Sequence, residues 1–117
     1  MSDLHAAGWP LFAIGLAFLG VAAAIAAVRD RWPAALEWSR RAALVALVAQ
    51  ASIGLALAAR GAAPGELLHW IYAAILIGVL LVPGSLPAEV AGARRSWTLA
   101  AGSAIGVVLV WRLWASG

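Results

Sequence analysis

The sequence contains no cysteine and no lysine, and only 11% of its 117 residues are charged. Without cysteine, the protein cannot form disulfides or thiolate metal sites. The eight basic residues are all arginines, and with five acidic residues they leave a net charge of +3. Hydrophobic residues make up 65% of the chain, which is more apolar surface than a soluble domain of this length could bury. We therefore expect lipid to be its solvent.

Four apolar runs are long enough to cross a bilayer, whose ~30 Å hydrocarbon core takes roughly 20 helical residues. They cover residues 10–28, 42–59, 67–82 and 98–114. The connections between them contain the proline, glycine and charged residues that end membrane helices. Because these connections are short, consecutive helices should be antiparallel neighbours. We predict that residues 1–117 form one transmembrane domain, an all-α up-down four-helix bundle.

The distribution of arginines predicts how the helices are oriented. Six arginines lie in the first and third connections, residues 29–41 and 83–97, whereas only Arg60 and Arg112 lie on the opposite side. Cytoplasmic connections carry the excess of positive charge, so these two connections are expected in the cytoplasm and both termini outside it. We expect a multi-pass protein of a bacterial-type inner (plasma) membrane, in which the arginines anchor the topology and do not form a nucleic-acid site.

The tryptophans fall near the ends of the predicted helices. Indole prefers the headgroup level of a membrane, where its ring is buried and its N–H stays wet. The outer ends hold Trp9, Trp70, Trp111 and Trp114, and the inner ends hold Trp32, Trp38 and Trp97.

Small residues spaced four apart predict where the helices touch. Lipid provides no hydrophobic drive for helices to associate, so contact faces need small side chains that let the backbones approach. Such rows are Gly20 with Ala24, Ala74 with Gly78, Gly102 with Gly106, and Ala42, Ala46, Gly54 and Ala58 in the second helix. We expect Gly102 and Gly106 in particular to form a groove at a helix–helix contact.

No acidic residue lies in the middle of a predicted span. A proton-coupled carrier needs a titratable group at that depth and a channel needs a polar stripe, so both functions are disfavoured. Gln50, near the middle of the second helix, is the main polar side chain at membrane depth. Its amide should face the bundle and form a hydrogen bond across helices.

His69 is the most informative residue of the sequence. It lies about one turn into the third helix, with Glu66 three residues before it and Tyr72 three residues after it on the same face. A neutral imidazole can bind haem iron while a carboxylate accepts its other ring proton. The alternative is a histidine bonded to Glu66 or to a loop carbonyl. In both cases the ring should point into the bundle or into a partner subunit, because lipid would leave it without hydrogen bonds.

One segment of the chain carries a family pattern. Its residues are Gln50-x-x-x-Gly54, then Gly61, then Leu68-His69 and Ala73. This pattern resembles the helix–loop–helix segment of the haem A synthase family, in which Q-x-x-x-G ends one span and L-H opens the next. In that family the histidine is a haem ligand within a four-helix half, and two such halves make the full protein.

The resemblance implies a haem, of the b type if one is bound, with His69 as an iron ligand. The chain corresponds to one half of the family's protein, and its first predicted span lacks the second histidine that the family supplies. Synthase activity is therefore not expected. A haem would be held by His69 alone, by His69 with His5, or by two copies of His69 across a dimer.

No catalytic constellation and no group of metal ligands is evident in the sequence, so we do not expect an enzyme. We expect a small non-catalytic subunit that packs within a larger respiratory or photosynthetic electron-transfer complex. Its partners would be membrane lipid and either other membrane subunits or further copies of itself. The alternative function is a b-type haem-binding membrane protein that uses His69, and a transporter or channel ranks third.

The orientation gives the first testable prediction. A tag at either terminus should be cleaved by a protease added to the extracytoplasmic side of intact spheroplasts, because the arginine-rich connections hold the opposite side in the cytoplasm. Protection of either tag until the membrane is opened would contradict this orientation.

Overall fold

The protein forms four α-helices. A computed structural model describes residues 2–61, 67–87 and 89–116, without the side chains of residues 2–6 and 116. The helices are α1 (Ser2–Val28), α2 (Ala34–Ala59), α3 (Leu67–Ser85) and α4 (Gly92–Ser116). Each is long and apolar enough to cross a membrane, which indicates a multi-pass membrane protein. The predicted all-α four-helix bundle is confirmed.

Three helices begin earlier than the apolar runs alone predict, and α1 begins at Ser2, whereas its run begins at residue 10. α2 begins at Ala34, whereas the run begins at residue 42, and α4 begins at Gly92, whereas the run begins at residue 98. The prediction counted only apolar residues, and arginines interrupt the runs of α2 and α4 at these points. Arginine is a good helix former, so the first turns of α2 and α4 continue past the apolar part as arginine-bearing turns.

The four helices form a ring in which each helix contacts its neighbours in the chain, and α1 closes the ring against α4. The most extensive interface lies between α1 and α4, followed by that between α3 and α4. By contrast, α2 makes only small interfaces, with α1 and with α3. The bundle is therefore three closely packed helices with α2 at its side.

The closest packing occurs along α4, at the two glycines where a groove is predicted. A Cβ added to Gly106 would lie 3.0 Å from Leu76 Cδ1 of α3 and 3.1 Å from Leu16 Cδ1 of α1. A Cβ added to Gly102 would lie 3.2 Å from the carbonyl oxygen of Val79. These glycines therefore let α4 approach both α1 and α3 at the middle of the bundle.

The row formed by Ala74 and Gly78 does not lie at a helix contact, and its prediction as a contact face is wrong. Both residues are exposed, and no described atom lies within 4 Å of a Cβ added to Gly78. Instead, α3 turns a face of larger residues inward, including Leu76 and Leu80. Spacing of small residues alone does not say which face of an apolar helix meets its neighbours.

The difference between the two glycines gives a matched test of packing. Gly106→Leu should lower the thermal stability of the detergent-solubilised protein by about 1–3 kcal/mol, because the added side chain meets Leu16 and Leu76. Gly78→Leu makes the same chemical change in a helix facing open space, so its melting curve should stay close to that of the native protein. Equal melting temperatures for the two variants would contradict this packing.

Candidate functional site

His69 is buried inside the bundle near the beginning of α3, with 5% of its surface exposed. Trp9 of α1, which is 2% exposed, packs edge-on against the imidazole, with ring centroids 6.3 Å apart. Trp70 makes a second edge-on contact, at 5.9 Å. The imidazole therefore points inward, and Trp9 lies within the bundle against it.

Gln50 reaches the same end of the bundle from α2. Its amide lies against Gly8 of α1, where an added Cβ would come within 2.7–2.9 Å of three amide atoms. A side chain at position 8 would therefore move the amide from the place that it occupies in the structure. Because Gly8 precedes Trp9 in α1, Gln50 and His69 lie at the same end of the bundle. We call the group Gly8, Trp9, Gln50 and His69 the histidine end.

The sequence also makes Tyr72, Glu66 and His5 candidate residues. Tyr72 is half-buried and packs against the apolar core. Glu66 lies outside the described residues, so its pairing with His69 stays a prediction. The backbone of His5 belongs to α1, one turn before Trp9, but its side chain also lies outside the described part.

A haem bound through His69 would need space for a porphyrin beside one nitrogen of the ring. In the structure, the indoles of Trp9 and Trp70 stand against the imidazole, and the ring is nearly all buried. These neighbours are more typical of a histidine that packs at the end of a bundle than of a histidine with an open coordination position.

The opposite end contains interactions that the sequence analysis missed. Arg40, treated there only as a topology anchor, is 6% exposed in α2. Its Nη1 donates to the carbonyl oxygen of Leu80 in α3 at 3.0 Å, and its Nε donates to Glu37 Oε2 at 3.0 Å. Gly84 lies directly against the guanidinium, in the space that a side chain would fill. Arg40 therefore fastens α2 to the end of α3.

Arg95 fastens α4 to the same end of α3. Its Nη1 donates to the carbonyl oxygen of Pro83 at 2.7 Å, and its Nη2 donates to that of Pro87 at 2.8 Å. The last carbonyls of a helix have no helical donor and carry partial negative charge, so a guanidinium satisfies them well. We call the end formed by residues 29–41 and 83–97 the arginine end.

The connection between α1 and α2 is also held at the arginine end. Asp30 has a positive φ of 51°, and its Oδ1 accepts a hydrogen bond of 2.9 Å from the backbone N–H of Ala93. This bond caps the first turn of α4. Ser96 Oγ of α4 donates to the carbonyl oxygen of Arg31. Hydrogen bonds of polar side chains thus hold one end of each of the four helices in place at the arginine end.

An open apolar groove of about 770 Å³ runs between α1 and α2. It extends from Pro33 and Ala35 at the arginine end to Gly8 and Gln50 at the histidine end. Ser39 and Gln50 are its only lining residues with polar side chains. The groove is therefore a long apolar surface on the outside of the bundle.

Comparison with protein-family models, with curated proteins and with solved structures finds no match to this chain.

The two arginines that share Glu37 give a matched test of the arginine end. Arg40→Leu should destabilise the solubilised protein by about 2 kcal/mol, because a charged hydrogen bond to the α3 backbone is lost inside the bundle. Arg41→Leu removes the same charge from the same carboxylate, but the Arg41 side chain is 56% exposed. Exposed pairs contribute little, so this variant should lose less than about 1 kcal/mol. Thermal melts that rank the two variants equally would contradict the role of Arg40.

Proposed function

We propose that this chain is a non-catalytic membrane subunit that packs against the transmembrane helices of a larger complex. The main observation behind the proposal is that the rest of the bundle covers little of α2. Only 6% of its apolar stretch is buried in the bundle, compared with 22–39% in the other three helices. Its buried residues are Leu36, Arg40 and Leu47. The chain thus holds a membrane helix that its own bundle barely covers.

The buried polar side chains support a structural role. These are Arg40, His69, Ser96 and Ser103. Arg40 and Ser96 donate to backbone carbonyls of neighbouring segments, and His69 packs against indoles. Ser103 faces Gly20 across the interface of α4 with α1. Each of these side chains lies where two segments meet, which is the arrangement expected of groups that hold helices together.

The cellular setting in the proposal comes from the sequence. The arginine-rich connections lie at one end of the bundle, and the positive-inside rule assigns that end to the cytoplasm. Both termini and the histidine end then face outward from a bacterial-type plasma membrane. An electron-transfer complex, respiratory or photosynthetic, is the expected host.

The proposal is tested by extracting the tagged full chain from its native membrane in a mild detergent. We expect the 12.0 kDa chain to migrate in a much larger particle and to bring other membrane proteins with it in fixed ratio. An unrelated membrane protein with the same tag serves as control for non-specific recovery. A particle that contains this chain, lipid and detergent alone would contradict the subunit function.

Haem binding at His69 is the second candidate function, and it is supported by the burial of His69 and by the position of His5 one turn before Trp9. A visible spectrum of the same preparation tests it. Bound haem would give a Soret band that His69→Ala abolishes, and His5→Ala would weaken the band if His5 were the second ligand. A colourless preparation of the intact protein would remove this function while leaving the subunit function in place.

A further inference from the structure

Small residues from both helices line the groove between α1 and α2, together with large apolar side chains that belong mostly to α1. On α1 the small residues recur every seven residues, and on α2 they are spaced seven and four residues apart, which keeps each set on one helical face. The residues are Gly8, Gly15 and Ala22 on α1, and Ala35, Ala42 and Ala46 on α2. At Gly15, no described atom lies within 4 Å of an added Cβ. Apart from Gly8, which the amide of Gln50 covers, these small residues are exposed and leave both backbones open to close approach from outside.

The faces of α2 differ in the size of their side chains. Away from the groove, α2 exposes large side chains, with Trp38 at 65%, Val45 at 71% and Leu55 at 62%. Lipid chains pack against large apolar residues without difficulty, whereas membrane helices associate where small residues let their backbones approach. The part of α2 that lines the groove carries mainly small residues, which makes it a suitable surface for another helix.

The length of the groove favours a helix over a lipid chain. From Ala35 to Gln50 a helix rises about 22 Å, or roughly four turns. An acyl chain anchored in one leaflet reaches only to the middle of the bilayer, which is about 15 Å. The groove is therefore longer than one leaflet, and its length is that of an ordinary contact between two membrane helices.

The positive charges at the arginine end indicate which residue type the occupant of the groove should carry there. Arg29 and Arg31 are exposed at the arginine end, close in sequence to the lining residues Ala22 and Pro33, and neither forms an ion pair with a described carboxylate. Glu37 is shared by Arg40 and Arg41, and Asp30 accepts the N–H of Ala93. An occupant with an acidic residue at this end would complement these two charges.

From these observations we infer that the α1–α2 groove seats a transmembrane helix of a partner subunit, which places an acidic residue beside Arg29 and Arg31. The inference rests on the proposed subunit function and names the surface that serves it. The partner helix covers the small-residue face of α2, while the large-residue face stays in lipid.

The groove is tested by filling it. Ala46→Leu places a branched side chain on its floor and should reduce recovery of the partner from mild detergent extracts about tenfold or more. Ala56→Leu makes the same change in the same helix outside the groove lining, and recovery should match that of the native chain. Ala46 and Ala56 are both exposed, so thermal melts of the isolated variants should agree and exclude misfolding as the cause.

The charge requirement is tested separately. Arg29→Glu with Arg31→Glu should reduce partner recovery further at low salt than at high salt, because like charges are then brought together. Arg94→Glu provides the control, since Arg94 is exposed at the same end but belongs to α4, which does not line the groove.

Because the chain has no cysteine, a single introduced thiol can report the occupant directly. A thiol-directed crosslinker at Ala42→Cys should join the chain to the partner, whereas Ala56→Cys should give no such product. A product of twice the chain mass would assign the groove to a second copy and overturn the inference. If Ala46→Leu recovers the partner undiminished, the groove inference fails and the subunit function stands. If the native chain recovers no partner, both fail.

Discussion

The bundle depends on how the end of α3 satisfies its backbone in a membrane, where water is not at hand to accept or donate hydrogen bonds. Pro83 has no N–H, so the carbonyl of Val79 four residues earlier lacks its helical donor. Gly102 of α4 lies against that oxygen, which is 3.2 Å from the position that a Cβ would take. Arg40 and Arg95 then reach the carbonyls of Leu80 and Pro83 from α2 and α4. Contacts to these three carbonyls thus hold α2, α3 and α4 together at the arginine end.

At the histidine end the contacts are of another kind, and α2 takes part in them differently. Trp9 and His69 pack α1 against α3, whereas α2 is represented by the amide of Gln50 against Gly8. Between this contact and Arg40, the only buried side chain of α2 is Leu47. Attachment at both ends with little packing between them leaves the space along α1 unfilled. The groove follows from this unequal packing.

The number of helices could be predicted because length and apolarity decide whether a segment crosses a bilayer, whatever the segment packs against. The face of each helix that packs against its neighbours could not be predicted, as Gly106 and Gly78 show. Both glycines lie four positions after a small residue, yet Gly106 is enclosed and Gly78 is open. The inward position of His69 followed from the cost of losing its hydrogen bonds, but its partner Trp9 belongs to a helix far away in sequence. Arg40 was missed because the positive-inside rule explains an arginine without asking what it binds. Glu37, three residues before it, and Pro83-Gly84 were the signals available.

The arginines at the arginine end divide into two groups, and this division links the fold to its proposed role. Arg40 and Arg95 form hydrogen bonds with the α3 backbone, and Arg41 forms an ion pair with Glu37, which also pairs with Arg40. Arg29, Arg31 and Arg94 are exposed and make no ion pair with a described carboxylate. All six contribute equally to orientation, since the positive-inside rule counts charge and not contacts. The side chains of the second group form no ion pair within the described part of the bundle, so a partner could meet them without loosening it. Since Arg29 and Arg31 belong to the connection that joins the two helices of the groove, a helix seated there would meet them at the arginine end.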